Sequence, residues 1–155
     1  MSQLTIGVKA PDFELQTVEG QPQRLSEALK KGPVVLVFYK SSCSTCEFTF
    51  PFIQKIYAKV VATAPWTLWA ISEDDVQETR DFAKEYGLTF EILIDEHPYH
   101  VSSAYGLHNV PAIFIVQPDG RISLSEFGFT KASLNEVAGF PFFSPDDGVP
   151  ATRPG

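Results

Sequence analysis

Cys43 and Cys46 are the only cysteines in the chain, separated by Ser44 and Thr45. They follow the apolar run Val34-Val35-Leu36-Val37-Phe38-Tyr39 and open an amphipathic stretch, so the spacing sets Cys43 at the mouth of a helix. There the positive end of the helix dipole and unpaired backbone N–H groups favour thiolate over thiol. Cys46 falls one turn further on, within reach of a disulfide. Cys43 is therefore read as the attacking nucleophile and Cys46 as the more buried, resolving thiol. In that scheme Cys43 attacks a substrate disulfide, and Cys46 then attacks Cys43 to release the reduced product. The hydroxyls of Ser44 and Thr45 are placed to donate to the thiolate. Lys40, three residues upstream, adds positive charge, and Ser42 joins Ser44 and Thr45 along the expected substrate groove.

The rest of the composition narrows the classes. With 155 residues the chain is one domain by length, and 44% hydrophobic content with thirteen Phe supplies a core. A net charge of −7 argues against non-specific nucleic-acid binding. No stretch approaches the ~20 apolar residues of a membrane span. Met1-Ser2-Gln3-Leu4-Thr5-Ile6 lacks a basic region followed by an apolar run, so the expected compartment is the cytoplasm, or the periplasm if a leader has been removed. A lone cysteine pair in a reducing cytosol is seldom a structural staple. A zinc site would need two further ligands, and His97, His100 and His108 form no paired cluster, so no metal is expected.

The elements that must hold the cysteines alternate along the chain. Residues 1–12 read as an extended arm, strand-like alternation begins at 11–15, and Gly20-Gln21-Pro22 marks a turn. Ser26 is the expected cap of a short helix through Lys30. Beyond Cys46, Phe48, Phe52, Ile56 and Val60 recur at four-residue steps, a helical core face with Pro51 predicting a kink. Residues 66–71 read as the next buried strand. Asp75 and Glu78 open a second helix that Gly87 closes, followed by a short strand at 90–94. A helix near 99–105, a hairpin of 113–116 and 122–125 about Pro118-Asp119-Gly120, and a last helix at 131–138 complete the series. The sum is an α/β sheet with an antiparallel edge. Residues 140–155, rich in Pro and Phe, read as a tail beyond a 1–139 domain: loosely packed by preference, with a packed extension and a partner-binding segment as alternatives.

Val110-Pro111 precedes the apolar strand Ala112–Val116. A cis bond here would hold the proline ring against the cysteines and leave the Val110 backbone free to pair with an extended substrate. A trans proline that simply starts the strand is the reading that general X–Pro preferences favour.

Taken together, the strand ending in Phe38-Tyr39, Cys43-x-x-Cys46, Pro51, Val110-Pro111 and the Pro-Asp-Gly hairpin resemble the thioredoxin fold. Ala10-Pro11-Asp12-Phe13 and the helix–strand unit at about 75–94 resemble its redoxin branch, which holds AhpC/TSA-type proteins and TlpA-like thiol–disulfide oxidoreductases. The resemblance covers roughly residues 5–138. It implies a central mixed sheet flanked by helices, with an N-terminal extension and a redoxin-type insert. It also implies that Cys43 attacks, Cys46 resolves and Pro111 is the cis-proline. The chain departs from thioredoxin at Ser42, where thioredoxin has tryptophan, and at Ser44-Thr45 in place of Gly-Pro. Val37 stands where thioredoxin buries an aspartate, leaving Glu47 or a water as substitutes for its role.

The expected function is therefore thiol–disulfide exchange, most of all as a reductant. No cofactor is expected beyond the redox-active Cys43–Cys46 pair; the partners are a protein or small-molecule disulfide and a thiol electron donor. One rival is a peroxiredoxin-type peroxidase, in which a thiolate becomes sulfenic acid. That family places Thr or Ser three residues before its peroxidatic cysteine, whereas Lys40 precedes Cys43. The other rival is a non-enzymatic binding module that docks a partner through its groove and through Phe140, Phe142 and Phe143.

Overall fold

The computed structural model describes residues 2–155. A hairpin of Glu14–Thr17 (β1) and Pro22–Arg24 (β2) leads into the short helix Leu25–Leu29 (α1). Ser26 is not its cap. The Ser26 amide lies inside α1 and is met from outside by Asp12, whose Oδ1 accepts at 2.9 Å while Oδ2 accepts from Arg24 at 3.2 Å. Those bonds hold the Asp12 carboxyl below the usual carboxylate range against the opposing effect of partial burial.

Val34–Tyr39 (β3) is buried at all six positions, as a continuous apolar run predicts for a central strand covered on both faces. Ser44–Val60 (α2) runs unbroken through Pro51, which removes one donor from the ladder without ending the helix. Thr67–Ser72 (β4) follows, then Val76–Tyr86 (α3). Asp75 Oδ1 caps α3 by accepting from the Glu78 amide at 2.7 Å, and Gly87 closes it in the left-handed region. Glu91–Ile94 (β5), His100–Ala104 (α4), Ala112–Val116 (β6) and Ile122–Phe127 (β7) come next. Phe129–Thr130 (β8), Lys131–Ala138 (α5) and Thr152–Arg153 (β9) complete the chain.

Seven strands form one mixed sheet in the order β2-β1-β5-β4-β3-β6-β7. β3, β4 and β5 are parallel; β1 pairs antiparallel with β5, β6 with β3, and β7 with β6. Side chains alternate across the central strands. Val35, Val37 and Tyr39 face α2, α3 and α5 with Phe50, Ile53, Phe82 and Leu134. Val34, Leu36 and Phe38 face α1, α4 and the N-terminal arm with Phe13, Leu25 and Tyr105. The register pairs Tyr39 with Ser72 and Phe38 with Ala112. The exits of β3 and β4 and the entry to β6 therefore share one edge, the place where parallel sheets present their sites.

The segment after α5 is packed, contrary to the loose tail preferred from its composition. Phe143 is buried against Phe52 and Phe129, with ring centroids 5.0 and 5.6 Å away. Asn135 fixes its backbone twice, accepting from the Phe143 amide at 2.8 Å and donating to its carbonyl at 3.3 Å. Lys131 reaches Asp147 at 2.6 Å, and β9 pairs antiparallel with β8.

Candidate active site

Cys43 is the N-cap of α2, and its extended backbone turns its own sulfur onto the helix mouth. Cys43 Sγ accepts from the Cys46 amide at 3.1 Å and donates to the Val110 carbonyl at 3.3 Å. The first contact satisfies a backbone N–H that a helix start leaves open. The second ties the thiol to the loop before β6. The Val110–Pro111 bond is cis, the alternative that the resemblance implied and that general preferences disfavoured. A second cis bond, one that no sequence pattern pointed to, joins His97 to Pro98.

Cys43 is half-buried, whereas Cys46, one turn behind it, is fully buried. Burial pushes the Cys46 thiol up strongly, and the neighbouring Cys43 sulfur adds to the effect. The Lys40 backbone and charge act in the opposite direction. Val37 packs in the same apolar layer as Cys46, so no carboxylate stands at that strand position. Tyr39, on the same face of β3, buries a hydroxyl that has no hydrogen-bond partner among the described residues. Its register neighbour Ser72 already engages the Thr79 hydroxyl at 2.7 Å and the Asp74 amide at 3.0 Å. Burial raises the Tyr39 phenol far above its ordinary range, Ser72 partly offsetting it.

A cavity of about 510 Å³ opens beside Cys43. Ser44, Thr45 and Val110 line it. Ser42 is exposed and Pro111 buried, and neither lines the cavity. Thr45 does not donate to the Cys43 sulfur: its Oγ1 donates to the Pro154 carbonyl at 2.6 Å. Lys40, read from the sequence as a source of positive charge, also lines it at the exit of β3. The remaining walls hold residues that the sequence reading did not place at the site: Glu73 at the exit of β4, Ser102 in α4, and His108 and Asn109 in the approach to β6. Glu73 could have been found from its place at the end of a parallel strand. Pro154 and Gly155 also line the cavity, although no local pattern points to them.

Burial raises the Glu73 carboxyl above its ordinary value, with Ser102 and Lys40 working against the shift and Asp95 and Asp74 adding to it. Asp95 itself is buried and anchors the start of α4, accepting from the Ser102 amide and hydroxyl at 2.8 Å each and the Val101 amide at 3.3 Å. Among the described residues, no group of three or more His, Cys, Asp or Glu is arranged to hold a metal. No helix among them is long and apolar enough to cross a membrane.

Comparison with known proteins agrees with this architecture. The AhpC/TSA family model matches residues 6–125, a span that includes both cysteines and Pro111. The thiol-disulfide oxidoreductase ResA of Geobacillus thermodenitrificans is 31% identical over 119 residues, covering 77% of this chain and 67% of its own. The thioredoxin-like protein YneN of Bacillus subtilis is 32% identical over 134 residues, 84% of this chain and 76% of its own. A solution structure from Bacteroides thetaiotaomicron, provisionally assigned as a protein disulfide isomerase, superposes with a TM-score of 0.80 at 25% identity. It covers 90% of this chain and 91% of that one. The fold is thus thioredoxin-like, and the chain belongs to the AhpC/TSA family as a thioredoxin-like thiol–disulfide oxidoreductase.

Proposed function

We propose that the protein reduces disulfides through Cys43, with Cys46 as the resolving thiol and the Val110 edge as the docking line for substrate. One observation carries this reading: Cys43 Sγ sits at the cavity wall between the Cys46 amide and the Val110 carbonyl, with Cys46 buried one turn behind. The Cys43 thiolate attacks one sulfur of the substrate disulfide, forming a mixed disulfide as the other substrate sulfur leaves and takes up a proton. Cys46 then attacks Cys43 Sγ. The bond to substrate breaks, and the departing sulfur takes the Cys46 proton. Two electrons have passed from the dithiol to the substrate, leaving a Cys43–Cys46 disulfide for a thiol donor to reduce.

Burial makes Cys46 a reluctant thiolate, which suits a resolving role and not a first attack. The substrate is a disulfide on a protein or small molecule, and the dithiol is itself the redox element, with no added cofactor. A cytoplasmic site of action fits a lone cysteine pair used for exchange and not as a staple. The peroxidase alternative lacks support at position 40, where lysine stands.

Replacing Cys46 by serine blocks the second step. The variant accumulates a mixed disulfide on Cys43 when mixed with a disulfide, visible as a mass adduct, whereas Cys43→Ser forms none. Adducts on Cys46 in the Cys43→Ser variant, at a rate matching the reverse case, would show the assigned order to be wrong.

A further inference from the structure

The docking line proposed above is already partly covered by the chain itself. Lys131 donates its amide to the Ala151 carbonyl at 2.9 Å, and the chain then runs back along Gly128 to Thr130 as β9. Thr45, in the first turn of α2, donates its hydroxyl to the Pro154 carbonyl at 2.6 Å. The Arg153 guanidinium lies 4.8 Å from the centre of the Phe48 ring, which anchors the strap to the same helix.

Two glycines record how close the approach is. A Cβ on Gly128 would meet the Arg153 carbonyl oxygen at 2.7 Å. A Cβ on Gly155 would stand 2.5 Å from the Val110 carbonyl oxygen, the same oxygen that accepts from Cys43 Sγ. Pro154 and Gly155 thus form one wall of the cavity beside Cys43. The rest of its lining includes the polar side chains of Lys40, Glu73, Tyr99 and His108.

We propose that Thr152–Gly155 is a specificity-determining strap that admits low-molecular-weight disulfides to Cys43 and excludes extended peptide disulfides until it is displaced from the Val110 edge. This rests on the reading of Val110 as the docking line. A small disulfide enters along these polar side chains and needs no main-chain pairing. An extended peptide must lie where Gly155 lies, so it reacts only with the fraction of molecules whose strap is open.

The test compares two probes in single-turnover reactions of pre-reduced protein, each followed by loss of free Cys43 and Cys46 on alkylation and mass analysis. One probe is oxidised glutathione; the other is an unstructured peptide pair joined by a disulfide. Removing residues 152–155 is expected to raise the ratio of peptide rate to glutathione rate about tenfold, equivalent to a strap-opening cost of ~1.4 kcal/mol. Phe143 and Asp147 remain, so the packed part of the segment is kept. If the shortened chain fails to fold, Arg153→Ala keeps the full strap, removes its hold on Phe48 and carries the test with the same sign. An unchanged or lowered ratio in a variant that still reacts with oxidised glutathione overturns the strap. Failure of the unaltered protein to react with either probe instead overturns the dithiol reading on which it rests.

Discussion

Replacing Phe143 by alanine tests how firmly the C-terminal segment belongs to the core. The ring is 4% exposed and sits among Phe52, Phe129 and Phe142, with centroids at 5.0, 5.6 and 5.0 Å. Lys131 Nζ lies 6.0 Å from its centre. Truncating a buried phenylalanine costs about 3–5 kcal/mol, and the cost falls where neighbours can collapse into the space. Phe142, only partly buried, can shift into the space, so the low end applies, about 3 kcal/mol. For a chain of this size each kcal/mol moves Tm by roughly 2–4 °C, which gives a fall of about 6–12 °C. Urea unfolding, with an unchanged m-value, measures the free-energy loss directly. A loss under about 0.5 kcal/mol, the range of an ordinary surface change, would refute the placement of Phe143 in the core.

Two other groups give separable outcomes. Asp95→Asn sets an amide against three donors that the carboxylate now satisfies, and is expected to cost about 1.5–3 kcal/mol in urea unfolding; a change within the noise would show that α4 does not depend on it. Asp147 is held below its ordinary value first by the hydrogen bond from Lys131, so its contribution is present above an unfolded carboxylate value of roughly 3.9 and is lost as pH falls through the lower folded value. The protection factors of the Ser144 and Val149 amides, whose hydrogen bonds Asp147 accepts, should therefore fall below about pH 4 and not in the neutral range. Equal protection at acid and neutral pH would remove Asp147 as the latch.

What the sequence disclosed follows the range of the interactions involved. β3 and the cysteine pair are local patterns of burial and period, and both lie where the pattern put them; the helix is present too, but its buried face runs through Phe50, Ile53 and Ile56, with Phe48, Phe52 and Val60 only partly buried beside it. Asp75 and Gly87 declared α3 because caps act within a few residues. Ser26 misled because its amide is satisfied by Asp12, fourteen residues away, in place of a cap from its own turn. The walls of the cavity are assembled from strand ends and loops brought together by the order of the strands, so Asn109 carried no local signal and Glu73 only its place at the end of a strand. The tail was the largest surprise. Its prolines and aspartates resemble solvated linker, and only the aromatic faces of Phe52 and Phe129 make Phe143 a core residue.

Redox titration of the Cys43–Cys46 couple against glutathione, read by the mass shift after alkylation, tests the central claim most directly. Disulfide exchange through this pair predicts one two-electron transition in which both alkylation sites vanish together, at a potential near the roughly −270 mV of a thioredoxin-type reductant. A potential toward roughly −120 mV would contradict the direction, making the protein an oxidant. Retention of the Cys46 site through the whole titration, with Cys43 carrying only glutathione, would contradict the dithiol mechanism itself.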